Sequence, residues 1–128
     1  MELDHVAIVV KDLESGIKTF QDLGLKLIEK AEVKEEGVRV AFFSAGHSKV
    51  ELIQSIADNS IKKFIEKKGE GIHHMTFHVE SVKKEMERLK GRFEFTSSFP
   101  LLRNGRNVCF ISPKSASGAL IELVEEAY

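Results

Sequence analysis

One stretch of eight residues returns in altered form midway along the chain, and this internal repeat constrains the fold more than any other feature. Leu3-Asp4-His5-Val6-Ala7-Ile8-Val9-Val10 is followed by Lys11-Asp12-Leu13 and a helical pattern. Ile72-His73-His74-Met75-Thr76-Phe77-His78-Val79 is followed by Glu80-Ser81-Val82 and another. Both stretches are short and rich in β-compatible residues, so they read as strands. Each leads to an N-cap residue, Asp12 or Ser81, that can open a helix. The first helix carries Leu13, Ile17, Phe20 and Leu23 at spacings of three and four and stops at Gly24. The second carries Val82, Met86 and Leu89 and stops near Gly91. Three further strand-like stretches follow each helix: 25–33, 38–44 and 49–54, then 92–98, 107–112 and 119–124. Gly37, Gly46, Asn104-Gly105 and the loop 113–118 supply the turns. The pattern predicts two βαβββ modules, about 1–56 and about 70–128. A connecting helix over about 58–69 joins them, with Ile61, Phe64 and Ile65 as its apolar stripe. Neither half can bury a core alone, so the expectation is a single α+β domain.

Composition narrows the function classes. With 42% hydrophobic and 30% charged residues among 128, the chain is neither disordered nor membrane-embedded. Lys plus Arg is 19 against 20 for Asp plus Glu, which excludes nucleic-acid binding by bulk charge. The first residues, Met1-Glu2-Leu3-Asp4, lack the basic and apolar segments of a signal peptide. Cys109 is the single cysteine, which suits a reducing cytoplasm.

Chemistry is suggested by polar residues standing where the strands should be apolar. His5 precedes Val6-Ala7-Ile8, and Glu51 interrupts Val50-Glu51-Leu52-Ile53. His74 precedes Met75-Thr76-Phe77, and Glu122 interrupts Leu120-Ile121-Glu122-Leu123-Val124. Taken singly, each is an ordinary solvated side chain. Together they follow the repeat, with one His in each module's first strand and one Glu in its last. If the modules pack by pseudo-twofold symmetry, both pairs reach one cleft. Two imidazoles and two carboxylates then form a four-ligand set for a divalent metal. Mixed nitrogen and oxygen donors suit Zn, Co, Ni, Mn or Fe alike.

At these residues the chain resembles the vicinal oxygen chelate superfamily, and within it the methylmalonyl-CoA epimerases. The resemblance rests on Leu3-Asp4-His5-Val6-Ala7-Ile8, Val50-Glu51-Leu52, Gly69-Glu70-Gly71-Ile72-His73-His74-Met75, Pro113-Lys114-Ser115 and Gly118-Ala119-Leu120-Ile121-Glu122-Leu123. It implies a cupped mixed sheet around a metal cleft, with His5, His74 and Glu122 as ligands. Glu51 stands at a position that is Gln or Glu in relatives. It further implies one divalent ion per chain (Co, Mn, Ni or Zn), an acyl-CoA substrate, no nucleic-acid or membrane partner, and a homodimer. The implied reaction interconverts (2R)- and (2S)-methylmalonyl-CoA through an enediolate, with Glu51 and Glu122 as the catalytic bases. Two alternatives within the superfamily are a glyoxalase I-like lactoylglutathione lyase and a non-catalytic ligand-binding protein. Three positions depart from the epimerase pattern. Val40 stands where some members carry a further Glu, Ser112 replaces the His of a His-Pro-Lys loop, and Asp58-Asn59-Ser60-Ile61 replaces Asp-Ser-Pro-Ile.

The remaining candidates have plainer readings. Strand alternation sends His73 to the face opposite His74, a structural position. His78 shares the parity of His74, and His47 sits in a turn. Arg103, Arg106 and Lys114 lie on loops, either solvated or within reach of a coenzyme A phosphate. Cys109, between Val108 and Phe110, reads as a small core hydrophobe.

Overall fold

Both expected N-caps start helices in the computed structural model, which describes all 128 residues. Asp12 accepts a hydrogen bond from the Ser15 amide and opens α1 (Leu13–Asp22). Ser81 accepts from the Lys84 amide and opens α3 (Val82–Leu89). Around them lie β1 (Glu2–Val9), β2 (Lys26–Val33), β3 (Val38–Ala45), β4 (Ser48–Ser55), α2 (Ser60–Lys68), β5 (Gly71–His78), β6 (Leu101–Arg103), β7 (Arg106–Ile111) and β8 (Ile121–Val124). The chain is therefore α+β and runs twice through the order βαβββ. No helix is long and apolar enough to cross a membrane.

The chain packs as two compact units, His5–His73 and Met1–Asp4 with His74–Tyr128. The connecting helix α2 groups with the first, and the opening residues of β1 group with the second. Strand order in the first unit is β2-β3-β4-β1, and in the second β5-β8-β7-β6. With β1 matched to β5, these are the same topology. In each unit the first strand runs parallel to the last, β1 to β4 and β5 to β8, and the other pairs are antiparallel.

In the first unit, α1 buries Leu13 and Ile17 against Val10, Ala41, Phe43 and Leu52. Each fully buried aliphatic side chain contributes about 1.5–3 kcal/mol. Leu23 is 72% exposed, against the expected stripe. At 100° per residue it points about 80° away from Leu13, and it already serves as the C-cap ahead of Gly24. The opposite sheet face carries a second apolar patch of Ala7, Val38, Val40 and Ile53, against which Ile61 of α2 packs. In the second unit, α3 lays Val82, Met86 and Leu89 on Cys109, Ile111 and Leu123.

The Asn59 carboxamide is the first unit's tie-point. Its Oδ1 accepts from the Lys62 amide at 3.0 Å, capping α2, and from the Ser55 hydroxyl at 2.8 Å. Its Nδ2 donates to the Gly37 carbonyl at 2.9 Å. Such a cap contributes about 1 kcal/mol. Gly37 is compelled here, since its φ is +67° and a Cβ would lie 2.7 Å from the Ala57 Cβ.

One expected strand is differently built. Residues 92–98 form no continuous strand, although Phe95 bridges Ile111, and Thr96 and Ser112 make flanking backbone hydrogen bonds. The edge strand is instead β6, immediately before the Asn104-Gly105 turn. Both turn residues have positive φ, 50° and 74°, so a two-residue hairpin pairs Arg103 with Arg106. Pro100, which has no N–H, separates the two paired stretches. Phe93 and Phe95 instead pack on the second unit's core.

Candidate functional site

Register explains why each unit brings a His to a Glu. In the first unit Ala7 pairs with Glu51 across the parallel strands β1 and β4. His5, two residues before Ala7, projects from the same face and reaches Glu51 diagonally. His5 Nε2 lies 3.2 Å from Glu51 Oε1. The His5 side chain is 2% exposed and its ring meets Phe42 edge-on at 5.7 Å. Phe42 itself pairs with Glu51 across β3 and β4.

The second unit repeats the pattern with one change. Thr76 pairs with Glu122 across β5 and β8, and His74 stands two residues before Thr76. His74 Nε2 lies 3.6 Å from Glu122 Oε1. Phe110 pairs with Glu122 as Phe42 pairs with Glu51. The change is at the position equivalent to Ala7, where the Thr76 hydroxyl donates to Glu122 Oε1 at 2.7 Å. The Tyr128 hydroxyl donates to the other oxygen, Oε2, at 2.8 Å. Glu122 is thus buried with a donor on each oxygen, whereas Glu51 faces the methyl of Ala7.

Each pair suits one edge of a metal coordination polyhedron. Nitrogen and oxygen ligands at about 2.1 Å, subtending 90–109°, stand about 3.0–3.4 Å apart. The first pair lies within that interval, and the second is wider by a shift that a rotamer adjustment covers. Imidazole and carboxylate donors also match the hard-to-borderline divalent ions. The four expected site residues therefore form two pairs, His5 with Glu51 and His74 with Glu122.

The histidines fall where strand parity and turn placement suggest, whereas Arg103 ends β6 and Arg106 opens β7 instead of lying on loops, because the two-residue hairpin pairs them. His73 packs edge-on against Phe64 at 4.9 Å. Burial and then the nearby Lys68 charge hold its pKa below the ordinary imidazole value, so it is a neutral structural residue. His47 is exposed in its turn, and His78 is half-buried. Burial pushes the Cys109 thiol up to about 12, with the Glu122 charge adding to the effect. That thiol is inert. Arg103 lies over Phe110 at 5.5 Å, and Arg106 over Tyr128 at 4.9 Å. Lys114 is exposed in a 3₁₀ turn. Val40 is buried in the apolar patch beside Ala7, so no carboxylate occupies that strand position.

Thr76 and Tyr128 are contributors that reading the repeat alone overlooks. Thr76 had a signal, since it shares parity with His74 in an otherwise apolar strand. Tyr128 had none, because it follows the last strand with no periodicity to place it.

Comparison with known proteins agrees with this geometry. The family model of the Glyoxalase/Bleomycin resistance protein/Dioxygenase superfamily matches residues 4–110. The chain is 36% identical to the Bacillus subtilis protein YqjC over 127 residues, covering 96% of this chain and 91% of that one. It is 35% identical to the ethylmalonyl-CoA/methylmalonyl-CoA epimerase of Cereibacter sphaeroides, covering 94% of this chain and 95% of that one. The crystal structure of methylmalonyl-CoA epimerase from Mycobacterium tuberculosis matches with a TM-score of 0.86 at 30% identity, covering 99% and 89% of the two chains. The chain belongs to the Glyoxalase/Bleomycin resistance protein/Dioxygenase superfamily and, within it, to the methylmalonyl-CoA epimerase family.

Proposed function

We propose that this protein is a metal-dependent epimerase that interconverts (2R)- and (2S)-methylmalonyl-CoA by 1,1-proton transfer through an enediolate. The observation that carries the reading is the duplicated His–Glu pair, one in each unit, at 3.2 and 3.6 Å. In this reading the four side chains His5, Glu51, His74 and Glu122 hold one divalent ion. When bound, such an ion supplies Lewis-acid stabilisation of the negative charge that develops on the substrate oxygens.

The rest falls to the chain itself. Inversion at a carbon needs one base for each face of that carbon, and each unit supplies one glutamate. Glu51 and Glu122 are the two bases, one withdrawing the proton and the other returning one on the opposite face. The apolar Val40 contributes none. The relatives named above as epimerases act on acyl-CoA thioesters, and that is the substrate class assigned to this chain. The reading includes a homodimer in which each chain holds its own complete set of ligands. Light scattering at micromolar concentration should give twice the chain mass, and a monomer would overturn the assembly alone.

The deciding experiment follows deuterium from heavy water into each methylmalonyl-CoA epimer, with Co²⁺, Mn²⁺, Ni²⁺ or Zn²⁺ supplied. Exchange into both epimers, with interconversion, is expected. Absence of exchange together with turnover of a glutathione hemithioacetal would instead assign a lyase. Elemental analysis of the purified protein identifies the ion it retains.

A further inference from the structure

We propose that Tyr128 is a positioning residue whose phenol holds Glu122 as a one-oxygen ligand. This deepens the reading above and rests on Glu122 being a metal ligand. Both oxygens of Glu122 accept a hydrogen bond, Oε1 from Thr76 and Oε2 from Tyr128. Oε1 is also the oxygen nearest His74. A carboxylate with Oε2 held by a phenol keeps Oε1 turned to its neighbouring imidazole, and chelation through both oxygens is disfavoured.

The placement of Tyr128 is itself secured. Glu125, just beyond β8, accepts from the Val82 amide at 3.0 Å and from Asn107 Nδ2 at 3.1 Å, which directs the chain after the strand. The Tyr128 amide donates to Asp4 Oδ1 at 3.2 Å, and Asp4 is buried. The guanidinium of Arg106 lies 4.9 Å from the ring centroid. Arg106 Nε is buried with no hydrogen-bond partner. Such an atom costs stability, and the ring contact offsets part of that cost. Phenol, backbone and ring are thus each held by a different group, namely Glu122, Asp4 and Arg106.

The test measures Co²⁺ affinity of the full chain by competition with a chromophoric chelator, together with the visible spectrum of the cobalt-loaded protein. Tyr128→Phe keeps the ring and its Arg106 contact while deleting the hydroxyl. It should bind Co²⁺ about 10–100-fold more weakly, the usual cost of losing a group that orients a ligand. Its cobalt absorption should change in intensity as Glu122 shifts toward two-oxygen coordination. Thr76 gives an independent comparison with Tyr128 intact. Thr76→Ser should keep wild-type affinity and Thr76→Val should lose it. Wild-type affinity and spectrum in Tyr128→Phe would overturn the proposal. A wild-type chain that takes up no divalent ion would overturn the metal reading itself, a distinct result.

Discussion

His5→Ala is expected to cost the protein its metal and its turnover in one step. His5 is the most enclosed of the four proposed ligands, and removing it deletes a nitrogen donor outright. Orienting groups around a ligand are worth about 10–100-fold in metal affinity, so loss of the ligand itself should exceed 100-fold. Elemental analysis after dialysis, run beside the deuterium-exchange assay, reads both effects. His73→Ala is the matched control, because that ring packs on Phe64. It should retain both metal and exchange. A His5→Ala protein that keeps its ion and its activity would remove His5 from the ligand set.

Glu51→Gln should separate the ligand role from the base role. An amide oxygen still coordinates a divalent ion but cannot accept a proton. Metal content should stay near the wild-type value while exchange becomes one-sided. The epimer whose proton Glu51 withdraws should exchange about 10²–10⁴-fold more slowly, the usual contribution of a general base. The other epimer should still exchange through Glu122. Epimerisation at close to the wild-type rate would leave Glu51 as a ligand only and move the second base elsewhere.

The repeat made the architecture legible because hydrophobic period and capping chemistry are local properties. Asp12 and Ser81 cap as expected, and the strands of the first half lie within a residue or two of their expected bounds. Misreadings arose where tertiary constraint overrode local pattern. Phe93 and Phe95 pack on the core without a continuous strand, while the hairpin geometry of Asn104-Gly105 sets the edge strand. Leu23 satisfied the spacing of an apolar stripe but fell on the cap. The pairing of each His with its Glu was visible in sequence through the repeat. The Tyr128 hydroxyl on Glu122 was not, because Tyr128 lies beyond the last strand and its amide is placed by Asp4, at the other end of the chain.

The exchange of Ala7 for Thr76 at equivalent register positions breaks the likeness of the two halves. A carboxylate already held by two donors has little rearranging left to do when charge around it changes, but it must stretch those bonds to swing. Glu51, opposite a methyl group and with its side chain 13% exposed, has more room to move and more solvent to reorganise. If both serve as bases, the two proton transfers climb barriers of unequal height. A chain assembled from two similar halves would then run an asymmetric free-energy profile, with the larger isotope effect on the side of the slower carboxylate.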